Sequence, residues 1–143
     1  MRSLPIQTEA ITTRSRSEMI DVTDRVEQFI RTEQITDGMV IVYVPHTTAA
    51  VTINENADPD VKSDMLKKLE TLVPKQEPYY RHGEGNSDSH VKTSLVGNSV
   101  TVLINHGSLV LGQWQGIYFC EFDGPRKREV HIKVVAFDDA QVS

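Results

Sequence analysis

The run Met39-Val40-Ile41-Val42-Tyr43-Val44 is apolar on both faces of a pleated strand, and Pro45 follows it directly. A strand without a polar face has to be covered on both sides, either between layers of one domain or at a contact between subunits. Proline has no N–H to give to a ladder, so the strand stops at Pro45. Any fold for this chain has to be built around that segment. At 143 residues the chain has the size of one domain, 1–143, long enough to bury a real core.

The flanking pattern supplies the other elements. Residues 4–13 read as a mixed-polarity strand and Met19-Ile20-Asp21-Val22 as a short second one. A helix follows with Val26, Phe29 and Ile30 as its apolar stripe; Thr23 or Asp24 can cap it, and Asp24 with Glu27 has capping-box spacing. Asp37-Gly38 reads as the turn after that helix. Ala50-Val51-Thr52-Ile53 reads as a strand. Asp58-Pro59 then opens a helix, with aspartate as N-cap and proline at the first helical position. Val61, Met65, Leu69 and Leu72 form its stripe, and Pro74 ends it.

Residues 74–87 form a polar loop, and a short helix from Ser87 to Val96 closes at Gly97. Strands are expected at 99–104, 108–112 and 114–122, with a last one around the alternating Val130-His131-Ile132-Lys133-Val134. Helices interrupting a strand-rich chain whose last strands run consecutively make the class α+β, with one large, mostly antiparallel sheet covered by helices.

Charge and cysteine usage narrow the setting. A net charge of −5 without a long basic run argues against nucleic acid as a partner, although a small phosphorylated ligand needs only a local group of donors. The single cysteine, Cys120, lies in an apolar stretch and reads as a small buried hydrophobe in a reducing compartment. No segment has the length of a membrane-spanning helix, and the N-terminus lacks a signal-peptide core. A soluble, cytoplasmic protein with no membrane partner is the expectation.

Chemistry-bearing residues concentrate in two stretches, 46–60 and 80–90, which hold three of the five histidines. Histidine is both a common metal ligand and a proton carrier near neutral pH. His46 leaves the end of a buried strand, a place that presents a side chain beside a cleft, or else simply satisfies loop backbone groups. His82 and His90 flank Gly83-Glu84-Gly85, where backbone can approach a ligand closely. Their spacing matches no compact zinc pattern, so the alternative of a solvated polar loop stays open.

Asn54-Glu55-Asn56 has more hydrogen-bonding groups than a plain connection requires, and one could hold substrate or orient a histidine. Trp114, beside Gln115, could stack a flat heterocycle or serve as core. Arg126 and Arg128 could grip phosphate or be solvated turn charges. Asp58 and Asp60 are explained by the helix dipole. There is no Walker, Rossmann or Gly-x-Ser-x-Gly motif, and Cys120 has no basic neighbour in sequence to activate it.

Taken together the chain resembles the YjbQ-like family, known for a secondary thiamine-phosphate synthase activity. The resemblance rests on His46-Thr47-Thr48-Ala49-Ala50, the stretch Thr52 to Val61, and His82-x-Glu84-Gly85. It continues through His90-x-Lys92 and Leu109-x-Leu111-Gly112-x-Trp114-Gln115-Gly116-Ile117. Gln113 departs from the family's usual threonine, and the loop between Glu84 and His90 is of the shorter type.

The resemblance implies a homotrimer with a divalent metal ion, zinc by expectation, held by His46, His82 and His90. It also implies joining of a pyrimidine diphosphate to a thiazole phosphate. In that reading Glu55 and Glu84 are the catalytic carboxylates, while Asn54, Trp114, Gln115 and Arg126 bind substrate. A non-catalytic metabolite- or metal-binding trimer and a metal-dependent hydrolase are the competing readings.

Overall fold

The computed structural model describes residues 1–137. The chain enters through β1 (Arg2–Ser3), β2 (Gln7–Thr12) and β3 (Glu18–Asp21), then α1 (Thr23–Thr32), β4 (Asp37–Tyr43) and β5 (Ala49–Glu55). Helices α2 (Pro59–Leu72) and α3 (Ser87–Val96) come next, followed by β6 (Ser99–Asn105), β7 (Ser108–Leu109), β8 (Gln115–Glu121) and β9 (Lys127–Ala136).

The architecture is α+β with antiparallel pairing throughout, and the strands divide into two sheets rather than one. The larger has the order β1-β9-β4-β6-β7, with β2 also on β9; the smaller is β3-β8-β5. Pro45 accounts for the division. It ends the ladder of β4, and the chain crosses through His46–Thr48 to begin β5 in the other sheet.

The sheets pack face to face. Val40 and Val42 of β4, Val102 and Ile104 of β6, and Val130, Ile132 and Val134 of β9 meet Val51, Ile117 and Phe119 of the smaller sheet, and Val26 and Ile30 of α1 join them. Burial of these side chains is the main favourable contribution to the fold. The opposite face of the smaller sheet presents Met19, Ala50, Tyr118, Cys120 and Phe122 to Met65, Leu66 and Leu69 of α2 and Val96 of α3.

The apolar run lies at the centre of the larger sheet, between β9 and β6, but only one of its faces is covered. Val40 and Val42 are buried, Met39 and Ile41 half-buried and Tyr43 exposed. Their neighbours on the bare face include Val135 and the exposed Leu103.

Four local expectations need correcting. Neither Thr23 nor Asp24 caps α1; Asp21 Oδ1 instead accepts from the Thr23 N–H at 2.9 Å and its hydroxyl at 2.6 Å. Asp37-Gly38 is strand, the turn having been made by Gln34 at φ 56°. Gly38 is required because a Cβ there would collide with the Val135 carbonyl oxygen of β9. Leu72 is exposed, and α2 has no fully buried residue. The 108–112 strand shrinks to β7, two residues long. By contrast α3 runs from Ser87 to Val96 and ends at Gly97 (φ 99°), and Asp58 caps α2 through the Asp60 N–H. Among the described residues no helix is long and apolar enough to cross a membrane.

Candidate functional site

At the end of the sandwich where β4 stops, a polar cleft of about 310 Å³ opens between the 45–48 crossing, the start of α3 and the turn before β9. Its walls include His46, Glu84, Asn86, His90, Arg126 and Arg128. A second opening of about 420 Å³ shares His46 and His90 and continues along Thr93 and Ser94.

Buried charge forms the floor. Glu121 on β8 and Arg128 on β9 both face inward, where the apolar core gives way to a paired carboxylate and guanidinium. Arg128 donates from Nε to Glu121 Oε1 at 2.9 Å and from Nη2 to Oε2 at 2.5 Å. Glu121 also accepts from the Thr13 hydroxyl and from the N–H groups of Phe122 and Asp123, while Arg128 reaches Thr48 Oγ1 at 2.8 Å. Burial alone would raise the Glu121 pKa, but the hydrogen bonds from Arg128 and Thr13 outweigh it and hold the carboxyl below its usual range.

A second buried network fixes α3. Arg16 grips both Asp88 oxygens at 3.0 and 3.1 Å, and Lys92 donates to Asp88 and to Glu70 of α2 at 3.0 Å each. Burial again opposes ionisation, and the bonds from Arg16 and Lys92 again win, so Asp88 titrates below the ordinary carboxylate range. The Ser89 hydroxyl donates to the Phe122 carbonyl at 2.6 Å. These contacts fix the stretch of α3 from which His90 projects.

The cleft brings together four of the expected residues, His46, Glu84, His90 and Arg126. His82 lies beside them, its ring edge-to-face with His90 at 5.4 Å and its Nε2 3.8 Å from Glu84 Oε2. Arg126 is anchored by Nε to the Asp123 carbonyl and by Nη2 to its carboxylate, with Asn86 Nδ2 on the same carboxylate oxygen.

The donor types suit a divalent metal, but the three histidines do not form a ready site. His46 Nε2 accepts the Glu129 N–H at 3.0 Å, which places the ring proton on Nδ1 and leaves neither nitrogen free. Burial first, and then the Arg128 guanidinium, hold the His46 pKa below the usual imidazole value. Among the described residues no three His, Cys, Asp or Glu side chains converge closely enough to hold a metal ion.

Asn54, Glu55, Trp114 and Gln115 are elsewhere. They lie at the far end of β5 and β8, about 20 Å from the start of β5 by strand rise. There Glu55, Ala57, Asp58, Pro59 and Trp114 line a separate cleft of about 450 Å³. Asn54 Oδ1 accepts the Glu55 N–H, and Gln115 Oε1 accepts the Gly112 N–H, so both amides brace their own loops. Asn56 holds the two loops together. Its N–H donates to the Trp114 carbonyl, its Nδ2 donates to Asp21, and its side chain packs where a Cβ on Gly116 would collide.

The sequence assigned no role to Thr48, Asn86, Asp88, Lys92 or Glu121, although Thr48 and Lys92 stand in the motifs that carry the resemblance. Asp88 and Lys92 carry a legible signal, an acid and a base four residues apart on one helix.

These two clefts belong to a known fold. The family model described as UPF0047 protein YjbQ-like matches residues 7–137. The chain belongs to that family. YugU of Bacillus subtilis is 52% identical over 130 residues, which cover 91% of this chain and 98% of YugU. A Methanocaldococcus jannaschii relative is 50% identical over 87% of this chain and 90% of its own. Among solved structures, a YjbQ/UPF0047 protein of Clostridium acetobutylicum superposes with a TM-score of 0.88 at 47% identity, covering 90% of this chain and 99% of that one. A Sulfolobus solfataricus protein, described as YbjQ-like and of unknown function, gives 0.89 at 27% identity and covers 94% and 98%.

Proposed function

We propose that the chain is an enzyme acting on a small phosphorylated metabolite bound in the histidine–arginine cleft. The observation that carries this reading is Arg126. Two of its nitrogens are fixed on Asp123, while the side chain remains half-exposed in the lining of the cleft that also holds His46 and His90. A guanidinium pre-aligned in this way can meet a phosphate oxygen with little further loss of side-chain freedom. Arg128 is committed to Glu121, so its part is to hold the wall and, after burial, to help keep the His46 pKa low.

The family resemblance supplies the reaction: thiamine-phosphate synthase chemistry, in a secondary role. The C–O bond between the pyrimidine methylene and pyrophosphate breaks, and the thiazole nitrogen lone pair forms the new C–N bond. The protein has to neutralise the departing pyrophosphate and hold the two rings together. Arg126 serves the first task, and His90 with Glu84 can carry a proton to the leaving oxygen.

The test supplies both precursors and measures pyrophosphate and coupled product. Turnover should fall by roughly 10²-fold or more in Arg126→Ala and His90→Ala. Saturable binding without product would replace catalysis by a binding role, and phosphate release without coupling would make the protein a hydrolase.

A second reading keeps a divalent metal, zinc by expectation, on His46, His82 and His90; it requires these side chains to move together, and the approach of His82 to His90 and Glu84 is what favours it. Metal that co-purifies with the protein and disappears in His82→Ala and His90→Ala would support it. The bare face of the larger sheet, with Met39, Ile41 and Leu103, supports the homotrimer. A monomer in sedimentation at micromolar concentration would remove that part.

A further inference from the structure

We propose that the active site is shared between subunits: the cleft at Trp114 and Glu55 of one copy closes over the histidine–arginine cleft of the next. The inference rests on the oligomer reading above and is independent of which reaction the cleft performs.

Within one chain the two clefts cannot cooperate, because the length of the β5–β8 ladder, about 20 Å, separates them. Yet the Trp114 end is constructed with as much care as the histidine end. Asn56 links its two loops through Trp114, Asp21 and Gly116, and the Tyr118 hydroxyl donates to the Glu55 carbonyl at 3.1 Å. All this braced structure presents a tryptophan that is 56% exposed, beside two carboxylates. An indole held open to solvent by a rigid frame is a contact surface in search of a partner.

The charges of the two clefts are complementary. The Trp114 cleft carries Glu55 and Asp58 and has no basic side chain in its lining. The other carries His46, His90, Arg126 and Arg128, against Glu84 and Asp123. A closed ring of three copies joins two different surfaces at every interface, and one chain offers such a pair.

The bare face of the larger sheet runs from one end of the sandwich toward the other. It begins at Tyr43, three residues before His46, and ends beside exposed Leu103 and Val110, where the chain turns through Trp114 into β8. In the proposed arrangement a copy stacks along this face with its Trp114 end toward the neighbour's histidines. In the shared site Trp114 covers the cleft and stacks on a flat ring of the ligand, with Glu55 beside it as a proton carrier.

Two features of the chain make the test clean. Trp114 is the only tryptophan, and Cys120 is buried with its thiol pushed up to about 12, so a thiol reagent will spare it. Chains carrying Glu84→Cys and Trp114→Phe are co-expressed with wild-type chains under a second tag. Mixed oligomers are then isolated through both tags and labelled with a nitroxide at position 84.

Only the unlabelled chain emits, and nitroxides quench at short range. Emission should fall by up to half where one chain of the three is labelled, and further where two are, relative to the same oligomers carrying a diamagnetic label. Equal emission from the two mixed oligomers would overturn the proposal, as would failure of the tagged chains to co-purify. Neither readout depends on metal or turnover, so loss of the enzymatic reading would leave this result standing.

Discussion

The two ends of the sandwich are held by different physics. Beneath the histidine cleft the chain buries whole charges, Glu121 with Arg128 and Asp88 with Arg16 and Lys92, each provided with several hydrogen bonds. Beneath the Trp114 cleft it relies on amides, hydroxyls and the close packing of Asn56 on Gly116, with the carboxylates left at the rim. Buried ion pairs are costly to desolvate and add little net stability, but removing one partner is severely destabilising. Their use at one end alone teaches that the histidine cleft needs fixed positions and a defined field, whereas the other needs only a fixed shape.

The sharpest way to break this contrast is Arg128→Met. It strands Glu121 in the core and should cost about 3–5 kcal/mol in urea unfolding. Adding Glu121→Leu should recover most of that loss, because the pair as a whole contributes little. A mild effect of the single change would show that the two ends are not differently constructed.

Gly116→Ala probes the other end. Its methyl displaces Asn56, at a cost of about 1–3 kcal/mol, and should shift Trp114 emission while leaving the histidine cleft intact. Asn56→Ala in the same chain should relieve the clash, which a double-mutant cycle in unfolding will detect. Smaller still is Asp58→Ala, which removes the cap of α2 and should cost about 1 kcal/mol.

Acid sharpens the comparison with the least effect. His46 has a depressed pKa in the fold, so the unfolded chain takes up that proton first. Stability therefore falls as pH drops through the ordinary imidazole value of about 6.5 and levels off below the folded one. Asp88 and Glu121, also depressed, add a second fall, as pH drops from the ordinary carboxylate values of about 4 through their folded ones. His46→Gln should abolish the first step alone in pH-dependent unfolding.

Much of this was legible in the sequence. Asp58-Pro59, Gly97 and the apolar periodicity specify their helices locally, and the residue types of the histidine cleft are visible in two short stretches. What lay beyond reach is what the topology decides. His46 meets the Glu129 backbone from 83 positions away, and Thr13 meets Glu121 from 108. Gly38 looks like a turn residue because its reason, the approach of β9, is supplied from nearly a hundred residues later. Asn54 looked like a neighbour of His46 because the two share one short stretch of sequence; β5 carries Asn54 to the opposite end, where β8 begins just after Trp114.

The place of β9 also dictates the order in which the molecule can be assembled. β9 lies between β4 on one side and β1 and β2 on the other, so the middle of the larger sheet stays open until residues 127–136 leave the ribosome. Until then β4, the most apolar strand of the chain, waits with an unpaired edge, as does β2. Such distant pairings form slowly, and an exposed edge of this kind invites the same strand from another nascent chain. Crowded synthesis of this protein is therefore the moment at which it is most open to strand exchange.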